Sequence, residues 1–166
     1  MLPQSKIKDK AAPSSTILRR DLGDGSPFQE KWDYRRIIGK LNFLEKSTRP
    51  EIAYAVHQCA RFASNPKESN DNAIKYLCRY LLGTKDKGII LRPDVTKSFE
   101  VHVDCDFAGN WNKEEAMNNP STAKSRTGYA ISYDGCPIIW ASKLQTKVVL
   151  STTESEYVGL SGASVL

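Results

Sequence analysis

The strand that decides the fold lies at residues 99–107, which read FEVHVDCDF. Apolar and polar residues alternate along it, and the side chains of a strand point to opposite faces with a period of two. The polar series includes Asp104 and Asp106. Two carboxylates on a half-buried strand are energetically costly unless a cation or a positively charged partner lies beside them. The pattern therefore predicts one face packed on a core and a candidate metal site on the other.

A third carboxylate is available from residues 151–157, which read STTESEY and predict the start of a helix. Glu154 and Glu156 are two residues apart, so they cannot point in the same direction on a helix. Ser151 and Glu154 have the spacing of a capping box, which would occupy Glu154 with the helix start. A helix that begins two residues later would instead pair Thr153 with Glu156, so that alternative stays open.

Glu156 is the preferred active carboxylate because it has no other role in the first of these arrangements. It lies beside a stripe of Tyr157, Leu160 and Ala163 that we expect to be buried. Its carboxylate would then point toward the sheet and the strand that carries Asp104.

Asp106 and the two histidines each have an ordinary structural explanation. The Cα atoms of Asp104 and Asp106 would be about 7 Å apart along a strand. One can therefore lead a metal site while the other supports it or caps the following turn. His102 shares their face and either packs there or contacts a substrate. His57 falls on a predicted helix, and we expect it at the surface because a lone histidine is seldom a metal ligand.

Three apolar stripes at helical spacing follow one another in residues 30–86. They are Tyr34, Ile37, Ile38, Leu41 and Leu44; Ile52, Ala55, Val56, Cys59 and Phe62; and Ile74, Leu77, Cys78, Leu81 and Leu82. Arg49-Pro50 separates the first two stripes, because the residue before a proline is pushed out of the α region. Gly83 ends the third. The pattern predicts a small helical bundle.

The remainder predicts strands followed by a helix. The expected elements are a short strand at 87–92, the strand at 99–107, a polar loop at 108–126, a hairpin of strands 127–133 and 137–142 around Asp134-Gly135, and a helix that starts near Ser151. The fold class is therefore α+β or α/β, with a helical bundle followed by a mixed sheet and one helix. Residues 1–29 are rich in Pro, Ser, Lys, Asp and Gly and predict a disordered lead-in.

The charge is unevenly distributed along the chain. Of its 166 residues, positions 1–94 hold 18 Lys+Arg and 11 Asp+Glu, whereas positions 95–166 hold 6 and 8. A basic first part and a slightly acidic second part favour a polyanionic partner held near a carboxylate site. Four separate cysteines without a Cys-x-x-Cys pair argue against zinc and for reduced thiols inside a cell. No apolar run approaches the roughly 20 residues that cross a bilayer.

Seven motifs follow one another along the chain from residue 34 onward. They are YRRIIGKLNFL at 34–44, TRPEIAYAV at 48–56, AIKYLCRYLLGT at 73–84, VDCDFAGNW at 103–111, KSRTGY at 124–129, IWASKLQ at 139–145 and LSTTESEYVGL at 150–160. Together they resemble the Pol polyproteins of copia-type LTR retrotransposons. The resemblance covers roughly residues 30–166.

The resemblance implies a reverse transcriptase thumb and connection region at 30–86 and the first part of a ribonuclease H domain at 87–166. It also implies that Asp104 and Glu156 are catalytic Mg²⁺ ligands of a two-metal centre, with Asp106 as a further candidate ligand. The reaction would be hydrolysis of RNA in RNA:DNA hybrids during reverse transcription. The implied partners are such a hybrid or a template–primer duplex, and the rest of the Pol polyprotein. The implied location is cytoplasmic virus-like particles or the nucleus, and no membrane is implied.

The basic residues that we expect to contact nucleic acid are Lys75, Arg79, Lys124 and Arg126. The chain lacks the polymerase palm and the two later aspartates of the family's ribonuclease H domain, so we expect an inactive fragment truncated at its C-terminus. The alternative is a non-catalytic nucleic-acid-binding remnant or a domesticated domain. An unrelated α+β interaction domain is a more remote alternative.

Overall fold

The helices of the first half and the sheet of the second half belong to two units, divided between Ile89 and Ile90. The computed structural model describes residues 12–14, 18, 26–29 and 32–164. The boundary expected after residue 86 lies close to this division. The α+β class is confirmed, because the described residues form four α-helices and one three-stranded sheet.

The first unit contains the three predicted helices. They are α1 (Tyr34–Ser47), α2 (Ala53–Ala60), which follows a 3₁₀ turn at Pro50–Ile52, and α3 (Glu68–Gly83). The core that they share includes Tyr34, Ile38, Leu41, Ile52, Ala55, Val56, Cys59, Ile74, Leu77 and Tyr80. Two details differ from expectation. The second helix ends at Ala60, before Phe62 of the predicted stripe, and Leu82 is 52% exposed because it lies at the margin of the stripe that packs on the core.

Specific polar contacts fix the helix ends of this unit. The Asp33 side chain accepts a hydrogen bond from the Arg36 N–H at 3.0 Å, as expected of a residue that caps a helix start. The buried Arg49, just before Pro50, donates to the Thr84 carbonyl at 3.1 Å and to its hydroxyl at 2.6 Å. Arg49 therefore ties the start of the 3₁₀ turn to the C-terminus of α3, where exposed carbonyls favour a cation.

Part of the predicted disordered lead-in belongs to this fold. Leu18 is buried in the helical core, and Phe28 packs edge-on against Trp32 with ring centroids 5.1 Å apart. The Ser26 carbonyl accepts a hydrogen bond from the Glu68 N–H at 3.0 Å. The prediction of disorder was wrong for these residues, because apolar side chains between the polar ones find a core to join. Residues 1–11, 15–17 and 19–25 of the lead-in lie outside the described residues.

The second unit contains an antiparallel sheet in the order β1-β2-β3. Its strands are β1 (Glu100–Asp106), β2 (Arg126–Tyr133) and β3 (Cys136–Leu144). The predicted hairpin is confirmed, and Asp134 and Gly135 adopt φ values of 49° and 74°, as a two-residue turn of this kind requires. The sheet is antiparallel throughout its described strands, whereas we expected a mixed one.

The strand predicted at 87–92 was wrong. These residues form no strand, and Ile90 and Leu91 are exposed. A strand needs a neighbour for its backbone hydrogen bonds, and β1 pairs with β2 instead. The polar loop also differs from expectation, because it contains a 3₁₀ turn at Pro120–Ala123 and ends before Arg126, the first residue of β2.

Helix α4 (Thr152–Ser164) packs mainly on β1. Its buried residues are Ser155, Gly159 and Ala163, which share one face at a spacing of four. The expected burial of Tyr157 and Leu160 was wrong, since they are 76% and 57% exposed. A glycine at the contact brings the helix backbone close to the sheet, so the small residues face it and the large ones do not.

Candidate functional site

Asp104 lies on β1 with its side chain exposed, directly opposite Gly128 of β2. Gly128 in turn lies opposite Ser142 of β3. The surface beside Asp104 is therefore lined by small residues, and a Cβ added at Gly128 would meet nothing closer than 3.9 Å. This leaves the carboxylate open to a ligand that approaches from above the sheet.

Asp106 is occupied with the turn that follows β1. A Cβ at position 109 would overlap the Asp106 carboxylate, so Gly109 is what allows that carboxylate to lie over the turn. Ala108 within this turn has a positive φ of 47°, and its N–H donates to the Ser125 hydroxyl at 3.2 Å. These contacts favour the turn-supporting explanation of Asp106 over a leading role in metal binding.

Helix α4 covers the face of the sheet opposite to Asp104. A Cβ at Gly159 would overlap the Cys105 sulfur and lie 3.2 Å from the Thr127 methyl carbon. Cys105 and Thr127 are cross-strand partners on this face. Because alternate residues of a strand face opposite ways, Asp104 projects from the uncovered face. A cation that contacts both Asp104 and α4 must therefore lie at a margin of the sheet rather than under the helix.

The start of α4 separates the roles of its two glutamates. The Ser151 hydroxyl accepts from the Glu154 N–H at 3.1 Å, and Glu154 Oε2 accepts from the Leu150 N–H at 2.8 Å. The predicted capping role of Glu154 is thereby confirmed. The alternative box from Thr153 does not form, because the helix already begins at Thr152. Glu156 is exposed and adjoins the buried Ser155.

Gln145 connects the two elements that carry Asp104 and Glu156. Its side-chain amide nitrogen donates to the Ser155 carbonyl at 2.9 Å and to the Thr127 hydroxyl at 3.0 Å, and lies 3.8 Å from the Cys105 sulfur. The sequence did not predict this role, because the contacts join residues that are far apart along the chain. The sequence feature that could have drawn attention to Gln145 is its position at the end of the motif at 139–145.

The predicted nucleic-acid contacts fall in different environments. Lys75 forms an ion pair with Asp71 at 2.6 Å on the surface of α3. Arg79 is exposed, one turn further along, and lines an apolar groove of about 240 Å³ together with Trp32 and Leu82. Both side chains are exposed on α3.

Lys124 and Arg126 differ from each other. Lys124 is half-buried at the end of the 3₁₀ turn. Arg126 is only 5% exposed, pairs opposite Asp106 in the register of the sheet, and donates to the Ser142 hydroxyl at 3.3 Å. We expected Arg126 in an open loop. Its burial in β2 argues against a direct phosphate contact.

The described carboxylates are ligands of the type that a hard cation prefers, but they do not form a complete coordination site. In the part of the chain that the structure describes, no group of three or more His, Cys, Asp or Glu side chains is placed to hold a metal ion. Mg²⁺ is commonly held by one or two carboxylates together with substrate phosphates. Asp104 and Glu156 are exposed carboxylates of the type that such a site uses.

Several proteins similar to this chain are Pol polyproteins of transposons. The chain is 34% identical over 157 residues to the "Retrovirus-related Pol polyprotein from transposon RE2" of Arabidopsis thaliana, covering 95% of this chain and 10% of the relative. It is 36% identical over 155 residues to that from transposon TNT 1-94 of Nicotiana tabacum, covering 92% and 10%. The chain belongs to the Pol polyproteins of copia-type retrotransposons. The resemblance seen in the sequence is thereby confirmed.

This Pol segment spans about a tenth of the length of those relatives. It is also 33% identical over 131 residues to the "Secreted RxLR effector protein 161" of Plasmopara viticola, covering 79% of this chain and 86% of that protein. No family model and no solved structure matches the chain. None of its described helices has the length and apolarity to span a membrane.

Proposed function

We propose that residues 87–166 form the first part of a ribonuclease H domain, which hydrolyses RNA in RNA:DNA hybrids, and that residues 30–86 belong to a reverse transcriptase thumb and connection region. We also propose that the isolated chain lacks this activity. The observation that carries the proposal is that Asp104 and Glu156 are both exposed, on β1 and near the start of α4. Because α4 packs on the face of β1 opposite Asp104, a cation shared by the two carboxylates would lie at the margin of the sheet.

Each residue has a stated role in this proposal. Asp104 would hold Mg²⁺ from the open face of β1, and Glu156 would contribute from the first turns of α4. When bound, Mg²⁺ would activate water and stabilise the leaving oxygen of the phosphodiester. Gly128 leaves room for the hybrid backbone beside Asp104. Asp106 supports the turn rather than leading the site.

Each unit would supply basic residues of its own for contacts to nucleic acid. Arg79 and Lys75 on α3 would contact phosphates, with Lys75 exchanging its ion pair with Asp71 for one with nucleic acid. Lys124 would add a contact in the sheet unit. Recognition of this kind depends on backbone charge and 2′-hydroxyls rather than on base sequence.

The test is cleavage of a labelled RNA:DNA hybrid in Mg²⁺ by the chain alone and by a chimera. In the chimera this chain replaces the matching segment of the tobacco Pol polyprotein. We expect no cleavage by the chain alone, cleavage by the chimera, and loss of cleavage in chimeras with Asp104→Asn or Glu156→Gln. Glu154→Gln is the matched control, because Glu154 caps the helix. A chimera that cleaves equally well without either carboxylate would contradict the site.

A non-catalytic role as a nucleic-acid-binding or domesticated domain is the second candidate. The similarity to the secreted effector protein favours this role. The chain covers 86% of that protein, which is not one of the long Pol polyproteins. The same hybrid distinguishes the candidates. Binding that weakens steeply with salt and with Arg79→Ala, together with a chimera that never cleaves, would favour this role.

A further inference from the structure

We propose that Gln145 is a positioning residue that holds the first turns of α4 against β1 and so fixes the spacing between Asp104 and Glu156. The inference rests on the proposed metal site. Gln145 would align the Asp104 and Glu156 carboxylates with each other, which neither carboxylate can do by itself.

The first observation is the place of Gln145 between the two elements. It is 7% exposed and bonds to Ser155 of α4 and Thr127 of β2, beside Cys105 of β1. Each partner adjoins a residue of interest along the chain. Cys105 follows Asp104, and Ser155 precedes Glu156. A displacement at Gln145 is therefore passed to both carboxylates through a single peptide unit on each side.

The chemistry of the contact defines which end of the amide acts. The Ser155 carbonyl can only accept a hydrogen bond, so the atom 2.9 Å from it must be the donating amide nitrogen. The second N–H of that nitrogen is directed to the Thr127 hydroxyl at 3.0 Å. One side chain thus uses both of its donors to connect helix and sheet inside a buried contact, where hydrogen bonds are least exchangeable with water.

The main chain of Gln145 fixes the other side of the site. Its N–H donates to the Ser125 carbonyl at 2.9 Å. The fully buried Ser125 accepts from the Ala108 N–H at 3.2 Å through its hydroxyl, in the turn that carries the Asp106 carboxylate. Gln145 therefore has a fixed backbone position from which its side chain reaches α4.

Because α4 approaches the sheet closely, the position of the helix is sensitive to this contact. Gly159 lies against Cys105 and Thr127, so the helix has little apolar side-chain area on the sheet at this point. The larger residues Tyr157 and Leu160 are exposed and do not hold it. The position of the helix start therefore depends on directional hydrogen bonds, and the Gln145 side chain supplies one to the Ser155 carbonyl while a second holds Gln145 to Thr127 of β2.

The experiment compares Gln145→Met with the unaltered chain. Methionine keeps the length and volume of the side chain but cannot donate. The first readout is native-state hydrogen exchange of the α4 amides, which needs no metal. The second is Mn²⁺ affinity measured by electron paramagnetic resonance, with Mn²⁺ standing in for Mg²⁺. We expect faster exchange in the first turns of α4 and about tenfold weaker Mn²⁺ binding or more, as found when residues that orient metal ligands are removed.

Ser161→Ala is the matched control. It deletes an exposed hydroxyl of the same helix and keeps the Ser155 carbonyl that Gln145 contacts. We expect it to leave both readouts close to those of the unaltered chain. Gln145→Glu is a second variant, which keeps the shape but places a carboxylate oxygen against the Ser155 carbonyl. We expect it to speed α4 exchange as Gln145→Met does, which also guards against a packing defect peculiar to methionine.

The outcomes separate the two proposals. Unchanged α4 exchange in Gln145→Met would overturn the positioning role. Faster exchange with unchanged Mn²⁺ affinity would also overturn it, by reducing Gln145 to a structural contact. No Mn²⁺ binding by the unaltered chain, or binding indifferent to Asp104→Asn and Glu156→Gln, would instead overturn the metal site. In that case the exchange readout still decides whether Gln145 holds the helix.

Discussion

The helical unit buries its apolar residues, whereas the sheet unit leaves many of its large apolar side chains exposed. Ile52 and Leu77 in the first are fully buried, while Leu150, Tyr157 and Leu160 in the second are mostly exposed. Three helices can cover one another's stripes, but the sheet has one helix on one face among the described residues. Extended apolar surface of this kind marks a contact surface or an aggregation liability. The first unit thus has a closed core, and the second has surface that remains to be covered.

The largest expected effect tests this contrast with one substitution in each unit. Leu77→Ala should lower the free energy of unfolding by about 2–5 kcal/mol, because it deletes buried methyl groups and leaves a cavity. Leu160→Ala should change it by no more than about 0.5 kcal/mol, because that side chain is already solvated. Urea unfolding followed by circular dichroism measures both. A large loss in Leu160→Ala would show that the surface of α4 is covered in solution, for instance by self-association.

A smaller effect tests how α4 lies on the sheet. Gly159→Ala should destabilise the sheet unit by about 1–3 kcal/mol, because its Cβ would overlap the Cys105 sulfur. Gly162→Ala is the matched control in the same helix, where a Cβ meets nothing within 4 Å. It should be neutral or stabilise by up to about 1 kcal/mol, since alanine is the better helix former. Similar thermal unfolding of the two variants would contradict the close approach.

The smallest effect concerns the pH dependence of the helical core. Burial, reinforced by the charge of nearby Cys78, raises the pKa of the Cys59 thiol to about 12. The folded state therefore keeps this proton when the unfolded state loses it, so stability should fall as pH rises from 9 toward 12, by about 1 kcal/mol at pH 10. Cys59→Ala should reduce this slope. Part of it should persist, because burial also raises the pKa of Tyr34. Identical slopes in both chains, measured by urea unfolding at pH 8 to 10, would contradict the assignment.

Local patterns predicted the elements whose causes are local. The apolar stripes of α1 to α3, the break at Arg49-Pro50 and the Asp134-Gly135 turn depend on neighbouring residues, and all are present. The capping role of Glu154 was predictable for the same reason. The strand at 87–92 was not, because a short apolar run forms a strand only where another strand pairs with it.

The residues of the candidate site stay a prediction from the sequence, and their arrangement depends on the tertiary structure. Alternation along residues 99–107 assigned Asp104 and Asp106 to one face of the strand, and helix capping selected Glu156 over Glu154. Periodicity alone misassigned the buried side of α4, because it favours large apolar residues, whereas Gly159 lets the helix approach the sheet through its smallest ones. The burial of Arg126 depended in the same way on its strand neighbours.

The sequence by itself determined the Pol family, the helical stripes, the hairpin and which carboxylates are candidates, because these follow from residue order and local geometry. Only the tertiary structure decided that α4 covers the face opposite Asp104, that Asp106 supports a turn, and that Gln145 joins helix to sheet. These features require residues as far apart as Cys105 and Gln145 to meet. Such contacts depend on packing and on the match of donors to acceptors, which residue spacing does not contain.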